Sequence, residues 1–203
     1  MFPVGFTVDI KSPNISLGSI EMQTDKAFSS GINKINANVS YYPEKDAICL
    51  NYKFQFYTYH LFWDLNSRQA FLKALADYKT DYSNRALNKN SLVKKRKYGS
   101  APGFLGWQSL SVFFQYTGSM DINLGYYFKD KSPYFTITQR PADYKDQGSN
   151  ANNATSAEVT FYFTRAQADE FAVLLDEELL KSLSMDRRNF QQNTADVDEY
   201  DEY

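Results

Sequence analysis

The 203-residue chain holds one histidine, one cysteine, six prolines and nine glycines, and each scarcity narrows what it can do. With His60 as the sole histidine, no metal site built on several histidines and no cysteine with two histidine partners can be assembled. Cys49 and His60 also lack a metal-ligand spacing. A single cysteine excludes an internal disulfide. Cys49 lies in an apolar run and reads as a small buried hydrophobe, which points to a reducing compartment. His60, among Tyr59, Leu61 and Phe62, reads as a packed strand residue rather than a general base. No serine elbow and no glycine-rich phosphate loop with a following lysine is present. Ser91-Leu92-Val93-Lys94 matches the short Ser-Xaa-Xaa-Lys pattern only in a polar stretch. No window approaches eighteen uninterrupted apolar residues, and the start at Met1-Phe2-Pro3 lacks a basic segment followed by a long apolar one. The expectation is therefore a protein that is not an enzyme, with no cofactor, metal site, secretion signal or membrane span. It is expected in the cytoplasm, or in the host cytoplasm if viral.

Aromatic residues, in contrast, are abundant. Sixteen Tyr, sixteen Phe and two Trp make 17% of the chain, and 43% of it is hydrophobic. That supply is enough for a real core, and its composition favours strands. Charge is split along the chain. All 22 Lys and Arg precede residue 189, whereas five of the 24 acids follow it, so the body is formally about +3 while the whole is −2. The last fifteen residues, 189–203, combine Asp196, Asp198, Glu199, Asp201 and Glu202 with Tyr200 and Tyr203. With almost no aliphatic surface to bury, this segment is expected to be a flexible acidic tail offered to a basic groove or a partner protein.

An internal duplication organises the body. Tyr41-Tyr42-Pro43-Glu44-Lys45-Asp46-Ala47-Ile48 lines up with the segment from Tyr126 to Tyr134, and both read as strand, charged turn, strand. Later, Phe62-Trp63 leads to a helix through Asn66 and Gln69, and Tyr162-Phe163 leads to another through Thr164 and Gln167. Both pairs fit a capping box. Phe71, Leu72, Leu75 and Tyr78 recur at helical spacing in the first helix, as do Phe171, Leu174, Leu175 and Leu179 in the second. Leu17 to Thr24 and Trp107 to Thr117 supply further strands. The predicted fold is α+β: two pseudo-repeats, about 17–84 and 104–183, each a four-stranded antiparallel sheet followed by a helix. A basic exposed linker, 85–103, joins them. In the first half a turn near Asn51 or a long bent strand must separate Ile48 from Trp63. Asp143 to Ser156 reads as a flexible inserted loop.

The mildly basic, aromatic body with an acidic tail ending in an aromatic residue resembles the single-stranded DNA-binding proteins of bacterial and phage replication. The twofold four-strand-plus-helix order, over about residues 17 to 182, resembles the whirly and purine-rich-element-binding families. These bind single-stranded nucleic acid on curved sheets backed by helices. Neither resemblance assigns binding residues one by one, and an OB-like barrel stays open as an alternative.

Strand alternation nominates the binding residues directly. Ile122, Leu124, Tyr126 and Phe128 form one side of a strand, leaving Asn123, Tyr127 and Lys129 on the other. Phe135 and Ile137 oppose Tyr134, Thr136, Thr138 and Arg140. Leu50, Tyr52, Phe54 and Phe56 oppose Asn51, Lys53, Gln55 and Tyr57. Unpaired bases stack on such aromatic side chains while cations follow the phosphates. Lys94-Lys95-Arg96-Lys97, the densest positive run, is expected to grip phosphates or receive the tail. The predicted function is non-sequence-specific binding of single-stranded DNA in replication or recombination, with RNA not distinguished by stacking and phosphate contacts alone. Replication proteins are the expected partners of the tail, and two halves that can close on themselves or pair with another copy leave a homo-oligomer open. The alternative is a structural or adaptor protein, such as a virion or assembly component, whose aromatic faces pack against protein.

Overall fold

In a computed structural model, residues 12–25, 31–109, 115–129, 131–144 and 154–186 are described. The acidic tail lies outside the described residues, as do 145–153 of the predicted insertion. Eight strands form one antiparallel barrel: β1 (Ile15–Asp25), β2 (Ile32–Tyr42), β3 (Ala47–Phe54), β4 (Tyr57–Trp63), β5 (Ser100–Ser109), β6 (Gln115–Lys129), β7 (Ser132–Gln139) and, after the two-residue strands β8 (Asp143–Tyr144) and β9 (Ala154–Thr155), β10 (Val159–Phe163). Each barrel strand pairs with its neighbours in sequence, and β10 returns to β1 to close the circle. The expected strands do not stand as two separate sheets, because β4 pairs with β5 over Tyr57↔Ser109 to Phe62↔Phe104. Closure runs through a short seam, Gln23↔Tyr162 and Thr24↔Phe161. The chain is α+β and mostly strand, with α1 (Leu65–Ser83) after β4 and α2 (Arg165–Leu174) after β10. A further helix, α3, covers 177–186.

Alternation decides the two faces. Ile20, Met22, Val39, Leu50, Leu61, Leu105, Ile122, Leu124, Phe135, Ile137 and Phe161 fill the interior, as side chains do in a barrel of this strand number. Outward positions include Ser19, Glu21 and Gln23 on β1, Asn36 and Asn38 on β2, and Ser119, Asp121 and Asn123 on β6. That polar exterior is the reverse of a lipid-facing barrel wall. Among the described residues no helix is long and apolar enough to cross a membrane. A second buried cluster of Tyr42, Ala47, Cys49, Phe62 and Phe104 lies on the outer side, where Cys49, Phe62 and Phe104 stand in register across β3, β4 and β5. Its sequence signal is the unbroken apolar runs Ile48-Cys49-Leu50 and Leu61-Phe62-Trp63, which suit strands buried on both faces.

Both helices seal one end of the barrel with aromatic rings. Phe71 of α1 and Phe171 of α2 lie 5.1 Å apart, and both meet Trp63 at 5.8 Å. Phe135 and Phe163 complete the cluster. Edge-to-face ring pairs of this kind are favourable beyond the area they bury. Arg68, fully buried on α1, fastens the same end: it reaches Asp46 Oδ1 and Glu177 Oε1 at 2.9 Å each and donates to the Asp46 carbonyl at 2.7 Å. One guanidinium thus ties α1, the β2–β3 turn and α3 together.

The structure changes several sequence-level expectations. Helix α1 is capped by Asp64, whose carboxylate accepts from Ser67 N, and not by Asn66 with Gln69. Thr164 and Gln167 do form the capping box on α2. The chain turns at Gln55–Phe56, with Gln55 at φ 54°, and not near Asn51. That turn resets the alternation, so Tyr57 faces the core, with its ring 6.1 Å from that of Tyr59. Strand β5 starts at Ser100, inside the expected linker, and the expected strand Trp107 to Thr117 divides between the end of β5 and the start of β6. Because the helix breaks after α2, Leu180 rather than Leu179 is buried.

Candidate functional site

The basic run does not hang free between halves. Lys94–Arg96 form a 3-10 turn laid flat on the outer side of β6, directly over Gly125. A Cβ at Gly125 would stand 2.6 Å from the Lys95 carbonyl oxygen and nearer still to that of Lys94, so only glycine admits the turn. Two backbone bonds hold its exit: Tyr98 N donates to Leu124 O at 3.0 Å and Leu124 N to Gly99 O at 2.9 Å.

Clamped there, the lysines meet an outward aromatic of β6 itself. Lys94 Nζ lies 4.6 Å and Lys95 Nζ 5.7 Å from the centre of the Tyr127 ring. Tyr127 is 5.9 Å from Tyr162, and Tyr134, the cross-strand partner of Tyr127, is 6.5 Å from Tyr162. Lys129 Nζ stands 4.1 Å over the Tyr162 ring and 2.8 Å from Asp25. Asp25 also accepts from the Tyr162 hydroxyl at 2.8 Å. Burial, reinforced by this carboxylate, pushes the Tyr162 hydroxyl above its ordinary value. Among the described residues two register pairs, Gln23↔Tyr162 and Thr24↔Phe161, join β1 to β10, and Asp25 stitches the seam on which the cationic face rests.

Of the residues nominated from sequence, Lys94, Lys95, Tyr127, Lys129 and Tyr134 converge on this face. Arg96 is exposed beside it. Lys97 turns away, paired with Asp81 and over Tyr98, and draws the Asp81 carboxyl below its usual range. Arg140 pairs with Glu158 at the far end of β7. Lys53, exposed on β3, is three strands from β6 around the barrel, and Tyr57, core-facing on β4, is two. The tail residues Asp196, Asp198, Glu199, Tyr200, Asp201, Glu202 and Tyr203 lie outside the described residues. Sequence reasoning missed Tyr162 and Asp25. Tyr162 was legible in the alternation of Val159 to Phe163, whereas Asp25 enters only through barrel closure.

Neither residue most suspect of chemistry is placed for it. His60 is 5% exposed, and burial lowers its imidazole to about 4. Burial pushes the Cys49 thiol up, far from a reactive thiolate. Among the described residues no group of three His, Cys, Asp or Glu side chains is placed to hold a metal ion.

No curated protein and no solved structure matches the chain. A family described as an uncharacterised Treponema protein matches residues 14–182, the whole barrel together with α1, α2 and the start of α3, and the chain belongs to that family.

Proposed function

We propose that the protein binds single-stranded nucleic acid, DNA in the first instance, on the outer face of β6, β7 and β10. The carrying observation is the basic turn pinned over Gly125 with two ammonium groups above Tyr127. A cation over an exposed ring is worth about 0.5–1 kcal/mol, whereas a base stacked on it is worth about 1–3 kcal/mol. An incoming base therefore displaces the lysines from Tyr127, and they move to the flanking phosphates. Tyr134 offers a second plane, with Tyr162 as its buried support. The face needs no base-edge readout, in keeping with binding that is not sequence-specific.

Four strands and a helix, twice along the chain, support reading the barrel as two pseudo-repeats of the whirly or purine-rich-element-binding kind. The acidic tail would compete for the same cations and, once displaced, recruit replication partners. The protein would act without catalysis, in the cytoplasm.

Fluorescence anisotropy with a labelled single-stranded oligonucleotide tests this. Neutralising four phosphates with Lys94, Lys95, Arg96 and Lys129 gives a log–log salt slope of about −3, or roughly a fifty-fold loss of affinity between 50 and 200 mM salt. A chain ending at Arg188 is expected to bind more tightly. Binding indifferent to salt, or no binding by either form, would sink the proposal and favour an adaptor that packs against protein.

A further inference from the structure

Beside the cationic face, where α1 ends and α2 begins, lies a cleft of about 450 Å³ lined by Tyr82, Arg85, Phe128, Pro133 and Arg165, among others. A smaller one of about 320 Å³ shares Tyr82, Pro133 and Arg165 and adds Lys131 and Tyr134. The larger volume falls within the range of about 300–1,000 Å³ found for small-ligand sites. Tyr134 lines the smaller cleft and belongs to the ring cluster around Tyr162, so the smaller cleft links the larger one to the face.

Its two arginines occupy positions that local physics disfavours. Helix α1 ends in a Schellman arrangement, with Arg85 N donating to Tyr82 O and Ala86 N to Asp81 O. The residue after the cap must then be left-handed, a place usually given to glycine; here it is Arg85, at φ 53°. Arg165 is the first residue of α2, where the helix dipole opposes a cation. Its guanidinium lies 4.0 Å over the Tyr82 ring. Among the described residues no carboxylate pairs with Arg85, Lys131 or Arg165. Arg165 keeps its ring contact, but among the described residues neither arginine has a carboxylate partner, which leaves both guanidinium groups able to meet an anion at a place where local preferences are set aside twice.

We infer that this cleft takes one phosphate-bearing nucleotide unit, its phosphate between Arg85 and Arg165 and its base against Phe128 and Pro133. The inference rests on the proposed single-strand reading and extends the strand's path beyond Tyr134. The same chemistry would come from a strand's terminal nucleotide or from a free mononucleotide.

The test uses the full chain, a 3′-labelled thymidine 12-mer with or without a 5′-phosphate, and thymidine monophosphate alone. Variants are Arg85→Gly with Arg165→Gln in the cleft, and Lys94→Gln with Lys95→Gln on the face. The cleft variant is expected to lose at least ten-fold in 12-mer affinity and to flatten the salt slope by about 0.7, the share of the one phosphate held between the two arginines. Arg85→Gly alone should raise the thermal midpoint while weakening binding, a combination that a purely structural arginine would not produce. A preference for the 5′-phosphate assigns the strand end; competition by the monophosphate assigns the free nucleotide. If only the face variant loses affinity, the cleft is overturned and the single-strand reading stands. If the parent binds no 12-mer, that reading falls; arginine-dependent binding of the monophosphate would then uphold the cleft, and its absence would overturn it.

Discussion

Gly125→Ala is the sharpest perturbation that the fold offers, because a single methyl group sets the barrel against its basic turn. The added Cβ would overlap the backbone of Lys94 and Lys95, and backbone cannot rotate away as the end of a side chain can. Either the turn stays and the overlap strains the molecule, costing about 1–3 kcal/mol, or it lifts. Lifting forfeits the bonds between Leu124 and residues 98 and 99, at about 0.5–1.5 kcal/mol each. Both routes give a loss of about 1–3 kcal/mol. Trp63 and Trp107 are buried in the barrel, so intrinsic fluorescence in a urea titration reports the loss as a midpoint lowered by about 1 M. Ser119→Ala, an exposed outward position on the same strand, serves as control and should stay within about 0.5 kcal/mol of the parent. Lifting the turn also removes Lys94 and Lys95 from Tyr127, so affinity for the single-stranded oligonucleotide should fall with stability. A variant that unfolds at the parent's urea concentration and binds equally well would refute the claim that Gly125 seats the cationic turn.

Three further perturbations separate stability from binding. His60 is neutral in the fold, with its value lowered from 6.5 to about 4; the unfolded chain takes up that proton first as pH falls, so stability drops between pH 6.5 and 4 by about 3 kcal/mol. In His60→Gln that part of the pH dependence should vanish from urea midpoints, and an unchanged profile would show that His60 is not the group titrating. Arg68→Met should destabilise the protein by about 3 kcal/mol, the low end for a broken buried ion pair, because Asp46 and Glu177 keep some solvent access; a loss under 1 kcal/mol by the same titration would show that other contacts hold α3. Asp25→Asn removes the charge that faces Lys129 and one of the two oxygens that accept from Lys129 and Tyr162, and should cost about 1 kcal/mol, yet it leaves the face more positive and should tighten oligonucleotide binding. Weaker binding would place Asp25 among the binding groups instead.

What the sequence determined alone is the part governed by neighbours along the chain. Period-two alternation assigned the inward and outward sides of β6 and β7 correctly, since pleating leaves no other choice once one side is apolar. The Thr164 and Gln167 cap, the buried stripe of Phe71, Leu75 and Tyr78, and the charged turn before Ala47 were legible for the same reason. Local signals failed where competing residues were equally qualified: Asp64 outcompeted Asn66 as a cap, and the Gln55–Phe56 turn carries no Gly or Pro to announce it. Only the tertiary structure decided what depends on distant strands meeting. Pairing of β4 with β5 and of β1 with β10 made one barrel of the predicted strands. Gly125 drew the basic run onto β6, separating Lys94 and Lys95 from Lys53 and Arg140. Closure brought Asp25 to Lys129 and Tyr162, and the docking of α1 beside α2 set Arg85 and Arg165 around one cleft. No periodicity along the chain encodes such meetings, because they arise from strand stagger and packing between residues about thirty to more than a hundred positions apart.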